Sequence, residues 1–463
     1  MRLSPELCAE ASALIAERLG LDFPPARQAD LERGLLRACK TSPASTPAAY
    51  VAWLATMPDS SPEWRRLAGQ LTVGETYFFR DRAAFEALER HVLLPMIDAR
   101  RAEGIARLRI WSAACATGEE PYSLAILLDR LLPDAADWTL TILATDINGE
   151  ALETAGRGCY RQWSFRETSE PIRDRYFRRR GGAFEVDARI RRMVTFAPLN
   201  LAEDGYPAVV TNTSAMDLIL CRNVLMYFTR EAQRAVAGRL QRALVPGGWL
   251  LVSPAEASAE LFDPLAPVIL PGAILYRKEP GFTAARPRSH QDAASAPEAP
   301  APAPLAPRLE SPTASFPSTA PPGEAPSRAG SGTEGGLERA HLLANQGDLD
   351  GAQELCEAVV AQHRLDPEAY LLLAAIRQER GEVPAALEAL RRAIYLTPDS
   401  APAHFLQGML LFRQGQRGRA QRSMQTVLNL LSSRRPDEVI AGSDGLTAGR
   451  LLETARAYLE QCA

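Results

Sequence analysis

Lysine is almost missing from the 463 residues: it occurs at Lys40 and Lys278, and arginine supplies every other basic side chain. With abundant alanine and proline, this reads as compositional bias rather than mechanism. No excess of one charge exists either, 56 acidic groups standing against 52 basic ones for a formal −4. That balance excludes a chain built to coat nucleic acid, where a strong positive excess is the rule. No run of ~18 apolar residues escapes a charge or a proline, so no membrane span is expected. The start, Met1-Arg2-Leu3-Ser4-Pro5-Glu6, lacks an apolar core with a small-residue cleavage site, so no secretory leader is expected. The seven cysteines are odd in number, scattered, and never spaced as metal-ligand pairs. A reduced, cytoplasmic setting without a metal site is the expectation.

Apolar residues make up 46% and charged residues 23%, an ordinary globular mix that at ~100–200 residues per domain predicts two to four domains. One break is sharp. From about residue 280 to 335 the chain is rich in Pro, Ala and Ser and holds 12 of its 35 prolines. Such a stretch cannot bury enough surface to offset its ordering entropy and is expected to be a disordered tether, about 40 Å long as a flexible coil. Beyond it the sequence repeats: Gly347, Gly381 and Gly415 are 34 apart, as are Ala352, Ala386 and Ala420. With Tyr370, Leu373, Ala374, Leu390, Ala393 and Pro398, this is the spacing of tetratricopeptide helix pairs over 336–463: about three repeats, closed by a helix over Thr447–Gln461.

Residues 1–72 read as short helices, Pro5–Arg18, Ala26–Lys40, Thr46–Met57 and Glu63–Leu71, punctuated by Pro43, Pro47 and Pro62. From Leu108 to Lys278 the pattern alternates. Strands are expected at Leu108–Ala113, Thr139–Thr145, Val194–Ala197, Met216–Leu220, Trp249–Val252 and Ala273–Arg277, and helices at Pro121–Leu132, Glu150–Ala155 and Arg230–Leu244. The fold class is therefore α/β, a largely parallel, doubly wound sheet over 73–279, with an all-α unit before it and a helical solenoid after it. Ligands of such sheets bind beyond the carboxyl ends of the strands, in the loops after Ala113, Thr145, Ala197 and Leu220.

Four segments there carry chemistry. Trp111-Ser112-Ala113-Ala114-Cys115-Ala116-Thr117-Gly118-Glu119-Glu120 is built from small residues that let a ligand approach backbone amides. It has no Gly-Lys-Ser/Thr, and its adjacent glutamates favour a ligand with a cationic end over a phosphate. Thr145-Asp146-Ile147 puts a carboxylate where it can accept from both hydroxyls of a ribose or, alternatively, cap the next helix. Cys221-Arg222-Asn223-Val224-Leu225-Met226-Tyr227-Phe228 sets a charge and an amide directly after an apolar strand. Glu75-Thr76-Tyr77-Phe78-Phe79-Arg80 precedes the sheet.

These segments, in this order and with Asn200-Leu201, Leu244-Val245-Pro246-Gly247-Gly248 and Pro271-Gly272-Ala273-Ile274-Leu275-Tyr276-Arg277-Lys278, resemble the chemotaxis-receptor glutamate methyltransferases, the CheR family. The resemblance covers roughly residues 1–278. It implies a helical N-terminal domain and a Rossmann-like S-adenosylmethionine-dependent methyltransferase domain with a small β-subdomain at about 160–195. It implies that Thr76, Arg80, Ala113, Glu120, Asp146, Asn200, Leu201, Arg222 and Asn223 contact the cofactor, and that Arg80 and Tyr227 face the reacting methyl group. It implies a methyl-accepting, chemoreceptor-like protein as substrate, and the repeats imply a further, unidentified protein partner. Two departures stand out: Gly74, where many relatives carry asparagine, and Ser253-Pro254-Ala255-Glu256, where many read Gly-His-Ser-Glu.

The implied reaction suits these residues. A glutamate with a pKa near ~4.3 is already ionised at neutral pH and needs no general base, and His91, His290, His341, His363 and His404 all lie outside the motifs. Between Arg161 and Arg192 stand ten arginines against five acidic residues, either a solvated basic face or, as the family implies, a docking surface for a glutamate-rich receptor helix. The alternative to an enzyme is a non-catalytic scaffold acting through its repeats. A DNA amino-methyltransferase is excluded by the missing Asp/Asn-Pro-Pro-aromatic loop and by the charge balance.

Overall fold

The structure is a computed structural model that describes residues 3–58, 61–72, 74–208, 210–279, 331–345, 348–436, 438–443 and 446–462. Most of the expected tether lies outside these residues, as does Gly347. Four helices open the chain: α1 (Pro5–Leu19), α2 (Gln28–Lys40), α3 (Pro47–Ala55) and α4 (Pro62–Leu71). Three start by one device, in which Ser4, Thr46 or Ser61 accepts a hydrogen bond from a first-turn amide and a proline takes the next position, where no donor is needed. They have no core of their own. Ile15, Leu35, Trp64 and Leu67 share one buried cluster with Trp111, Leu143 and Cys221 of the sheet.

Helices α5 (Arg82–Leu88) and α6 (Leu94–Ala102) lead to β1 (Arg107–Ala113), α7 (Glu119–Leu131), β2 (Thr139–Asp146) and α8 (Gly149–Arg157). A small insert follows: β3 (Cys159–Tyr160), α9 (Glu170–Tyr176), β4 (Phe177–Arg180), β5 (Ala183–Val186) and α10 (Ala188–Arg192), its strands forming an antiparallel sheet ordered β3-β5-β4. Then come β6 (Val194–Pro198), β7 (Met216–Cys221), α11 (Arg230–Ala243), β8 (Leu244–Val252), α12 (Ala259–Phe262), β9 (Ala266–Leu270) and β10 (Ala273–Arg277).

The main sheet has the order β6-β2-β1-β7-β8-β10-β9. Its first five strands are parallel, and β10 runs antiparallel to both neighbours. In the central strand Ile110, Trp111 and Ser112 are fully buried, as a strand covered on both faces requires. The chain steps outward from β1 to β2 and β6, then crosses back to β7, so the topological switch lies between β1 and β7.

The C-terminal unit is three helical hairpins, α13 (Ser331–Asn345) with α14 (Leu349–Gln362), α15 (Pro367–Glu379) with α16 (Val383–Leu396), and α17 (Ala401–Arg413) with α18 (Arg417–Leu431), followed by α19 (Ala448–Cys462). Gly381 and Gly415 make their turns at φ of 77° and 74°, a region open to glycine at no steric cost. Ala352, Ala386 and Ala420 are fully buried. Helix α13 starts five residues inside the stretch expected to be linker, because a helix nucleated by its apolar stripe propagates outward at little cost per residue.

This unit packs against the starts of the sheet strands, the end away from the switch-point crevice. Buried Arg109 of β1 donates to the Asn212 carbonyl at 3.1 Å, to Asn212 Oδ1 at 2.8 Å and to the Ser214 carbonyl at 3.0 Å, and it is ion-paired with Glu379 of α15. Gly381 sits so close to Thr139 that a Cβ there would come within 2.6 Å of the Thr139 hydroxyl oxygen. Among the described residues, no helix is long and apolar enough to cross a membrane.

Candidate cofactor site

A cleft lies over the carboxyl ends of β1, β2 and β7. Its walls include Ala114 and Ala116 from the loop after β1, Asp146 to Asn148 after β2, Leu199 to Leu201 after β6, and Asn223, Val224 and Tyr227 after β7. The helical N-terminal region closes the remaining side with Leu19, Leu21, Arg27, Leu71 and Thr72. The backbone stitches the two regions together: Asp22 N–H donates to the Tyr227 carbonyl at 2.8 Å, and Thr229 N–H donates to the Gly20 carbonyl at 2.8 Å.

Asp146 is the most constrained group in the cleft. Its Oδ2 accepts from Ala116 N–H and its Oδ1 from Asn148 N–H, both at 2.8 Å. Burial pushes its pKa above the ordinary carboxylate value, with the amides of Asn148, Ala116 and Ile147 acting against that shift. The alternative reading as a helix cap does not hold, because Asn148 caps α8 by accepting from Ala151 N–H at 3.2 Å. A carboxylate offers about four acceptor positions. The amides do not exhaust that capacity, and what remains fits a vicinal diol.

Strained backbone marks the same place. Ala114, Ala116 and Asn223 take φ of 65°, 48° and 58°, and Phe79 and Asp81 nearby take 55° and 66°. Non-glycine residues in this region cost of order 1–3 kcal/mol each and persist where the surroundings over-determine them. For Asn223 the surroundings are one side chain. Buried Glu256 accepts from the N–H groups of Asn223, Val224 and Leu225 at 2.7, 2.6 and 2.8 Å, and from the Ser253 hydroxyl at 2.5 Å. The departure Ser253-Pro254-Ala255-Glu256 thus forms a capping box whose carboxylate also clamps the loop after β7. Sequence reasoning missed this, since nothing local tells which loop a carboxylate will clamp.

Of the other predicted site residues, Asn200, Leu201, Asn223 and Tyr227 line the cleft, whereas Thr76, Arg80, Ala113, Glu120 and Arg222 do not. Asn200 serves its own turn: its Oδ1 accepts from Ala202 N–H at 3.0 Å and its Nδ2 donates to Glu203 at 3.1 Å. Ala113 is buried in β1 between Thr145 and Cys221. Arg222, Glu120 and Arg80 form one network, with Arg222 donating to Glu120 Oε2 and Asp81 Oδ2 at 3.2 Å each and to the Arg80 carbonyl at 3.1 Å. Arg222 Nε is buried without a partner among the described residues. The Arg80 guanidinium itself donates to the Glu75 carbonyl at 2.8 Å. The adjacent glutamates, expected to favour a ligand with a cationic end, are both engaged within the protein: Glu120 pairs with Arg222, and Glu119 is buried, accepting from the Thr117 and Ser164 hydroxyls at 2.6 and 3.0 Å. Gly74 lies on the cleft, where a Cβ would meet nothing within 4 Å.

The Arg27 guanidinium lies 4.7 Å from the ring centroids of both Tyr227 and Phe23. Among the described residues no cluster of His, Cys, Asp and Glu could hold a metal ion.

A doubly wound sheet with its crevice at the switch point, a buried carboxylate ending the second strand and a small-residue loop ending the first define a nucleoside-binding crevice of the kind that S-adenosylmethionine-dependent methyltransferases share with dinucleotide-binding folds. The Asp146 carboxylate, an acceptor for a ribose diol in the wall of the cleft, fits that cofactor.

Residues 74–265 match the family described as CheR methyltransferase, SAM binding domain, and residues 343–410 match a tetratricopeptide repeat family. The chain is 38% identical over 212 residues to chemotaxis protein methyltransferase 1 of Pseudomonas aeruginosa, covering 45% of this chain and 74% of that protein. It is 37% identical over 206 residues to the chemotaxis protein methyltransferase of Escherichia coli, 43% of this chain and 67% of that one. It is also 29% identical over 419 residues to the probable biofilm formation methyltransferase WspC of Pseudomonas aeruginosa, 89% of this chain and 96% of that protein. The chain belongs to the CheR methyltransferase family, and it is an S-adenosylmethionine-dependent methyltransferase of the chemotaxis type carrying a C-terminal tetratricopeptide region.

Proposed function

We propose that this enzyme methylates glutamate side chains of a chemoreceptor-like, methyl-accepting signalling protein, yielding glutamate methyl esters and S-adenosylhomocysteine. The observation that carries the reading is the cleft built around Asp146 at the switch point of a CheR-family sheet. S-adenosylmethionine supplies the methyl group, made electrophilic by its sulfonium. Asp146 accepts from the ribose hydroxyls, Ala114 and Ala116 leave backbone exposed to the nucleoside, and Asn200, Leu201 and Asn223 complete the adenosine wall. Arg222, fixed by Glu120, Asp81 and the Arg80 carbonyl, is assigned to the amino-acid end together with Thr76.

The acceptor glutamate arrives ionised, so the protein's task is orientation and water exclusion. Holding the reacting atoms in line contributes several kcal/mol. Tyr227, at the cleft and stacked on Arg27, orients the incoming carboxylate. Arg80, at the end of the segment preceding the sheet, is the second group assigned to that carboxylate.

The full-length likeness to a protein named as a biofilm-formation methyltransferase supports a signalling pathway that need not drive swimming. The tetratricopeptide region binds a protein partner of that pathway. The test incubates the protein and Asp146→Ala with tritiated methyl donor and membranes from the source organism. The reading expects base-labile label in a receptor-sized band with the wild type and none with the variant. Base-stable label, or equal labelling by both, contradicts it.

A further inference from the structure

Between α10, α8 and α7 on one side and the α17–α18 turn and α19 on the other lies a cleft of about 1900 Å³. Ten arginines line it against two carboxylates, Asp129 and Glu153. Both carboxylates are already matched, Asp129 with Arg189 and Glu153 with Arg157. Arg130, Arg192, Arg413 and Arg417 are exposed and have no acidic partner among the described residues. The whole chain carries −4, so the positive excess is concentrated here. So many like charges facing one another in a concavity repel, and they focus a positive potential into it.

We propose that this cleft is a docking site for a carboxylate-rich segment of a protein partner, gripped from both sides by the methyltransferase and tetratricopeptide units. Guanidinium forks bind carboxylates bidentately. The floor holds Trp138, Leu140 and Ile142, against which the aliphatic stems of glutamates pack. A single-stranded nucleic acid is the less fitting occupant, because such sites add exposed aromatic stacking platforms and none of the cleft's aromatic rings is exposed. The chain's own segment 280–330 is no better match, with four arginines balancing four acidic residues; the occupant comes from another molecule. The cleft shares no lining residue with the cofactor site: Ala151 of α8 faces one, and Leu152 and Glu153 face the other. It therefore gives the repeats a role in holding a partner whatever the methyl acceptor proves to be.

The test measures fluorescence anisotropy of a fluorescein-labelled glutamate–alanine peptide with the full chain, at low and at physiological ionic strength. The proposal expects saturable binding that weakens with salt. It also expects roughly a tenfold loss in Arg413→Glu/Arg417→Glu on one wall and a similar loss in Arg191→Glu/Arg192→Glu on the other. The first double variant is to keep wild-type affinity for S-adenosylhomocysteine by calorimetry, and Arg413→Lys/Arg417→Lys is to keep most of the peptide affinity. No binding by the wild type, equal binding by the reversed variants, or displacement by a single-stranded oligonucleotide at lower concentration than by unlabelled peptide overturns it.

Discussion

Replacing Asp146 by alanine removes one carboxylate and leaves the Ala116 and Asn148 amides, which it accepts from at 2.8 Å, to water. Two acceptor positions then vanish from the cleft. A hydrogen bond to a charged group contributes ~1.5–3 kcal/mol, so a ribose held by two of them loses ~3–6 kcal/mol. At ~1.4 kcal/mol per decade that is roughly a 10²–10⁴-fold rise in Kd. Water entering the vacated volume offsets part of the loss, which places the expectation toward the lower end, at least ~100-fold. Calorimetric titration with S-adenosylhomocysteine reads it directly, with circular dichroism checking that the variant is folded. Asp146→Asn sharpens the experiment: it keeps the volume but turns a donor toward the Ala116 or Asn148 amide, and it is expected to bind almost as poorly as alanine. A Kd within about threefold of wild type for a folded Asp146→Ala refutes the reasoning that this carboxylate carries the nucleoside.

The same group sets a pH dependence. Burial raises the Asp146 pKa and the ionised form accepts from the ribose, so affinity is complete above that raised pKa and falls as pH descends through it; a titration of Kd flat from neutral pH into the ordinary carboxylate range contradicts this. Glu256→Gln is expected to destabilise the Asn223–Leu225 loop by about 2–4 kcal/mol through one donor–donor conflict and weakened charge-assisted bonds, read as faster deuterium uptake in a peptide spanning 222–228, with unchanged uptake as the contrary result. Tyr227→Phe is expected to lower kcat roughly tenfold with little change in Kd for S-adenosylhomocysteine; a change confined to Kd would place Tyr227 in cofactor binding alone. Glu379→Ala leaves Arg109 buried without its ion-pair partner, so the tetratricopeptide unit should loosen and deuterium uptake over 206–214 should rise, whereas unaltered uptake means that the other hydrogen bonds of Arg109 suffice.

The parts legible in the sequence share a local cause. The parallel strands ran as short apolar stretches, the Ser-Pro and Thr-Pro helix starts carried their own caps, and the alanines spaced by 34 betrayed helices in close contact. Asp146 and Asn223 could be located because a doubly wound sheet fixes where ligands meet it. What escaped was non-local. Strand β9 (Ala266–Leu270) is an edge strand whose residues alternate between half-buried and exposed with none fully buried, and it pairs because β10 turns back along it. The cleft wall of Leu19, Leu21 and Arg27 belongs to the end of α1 and the connection to α2, in a region whose pattern signalled only packing. Glu256 reaches across 31 to 33 residues to its loop. The Arg109–Glu379 pair joins positions 270 residues apart, and nothing in either segment's composition marks it.

A crystal structure of the full chain with S-adenosylhomocysteine tests the central claim most directly. The account predicts density in the cleft above β1, β2 and β7, with both ribose hydroxyls within hydrogen-bond distance of Asp146 and the amino-acid end at Arg222. Density elsewhere on the molecule, or a ribose with no contact to Asp146, contradicts it.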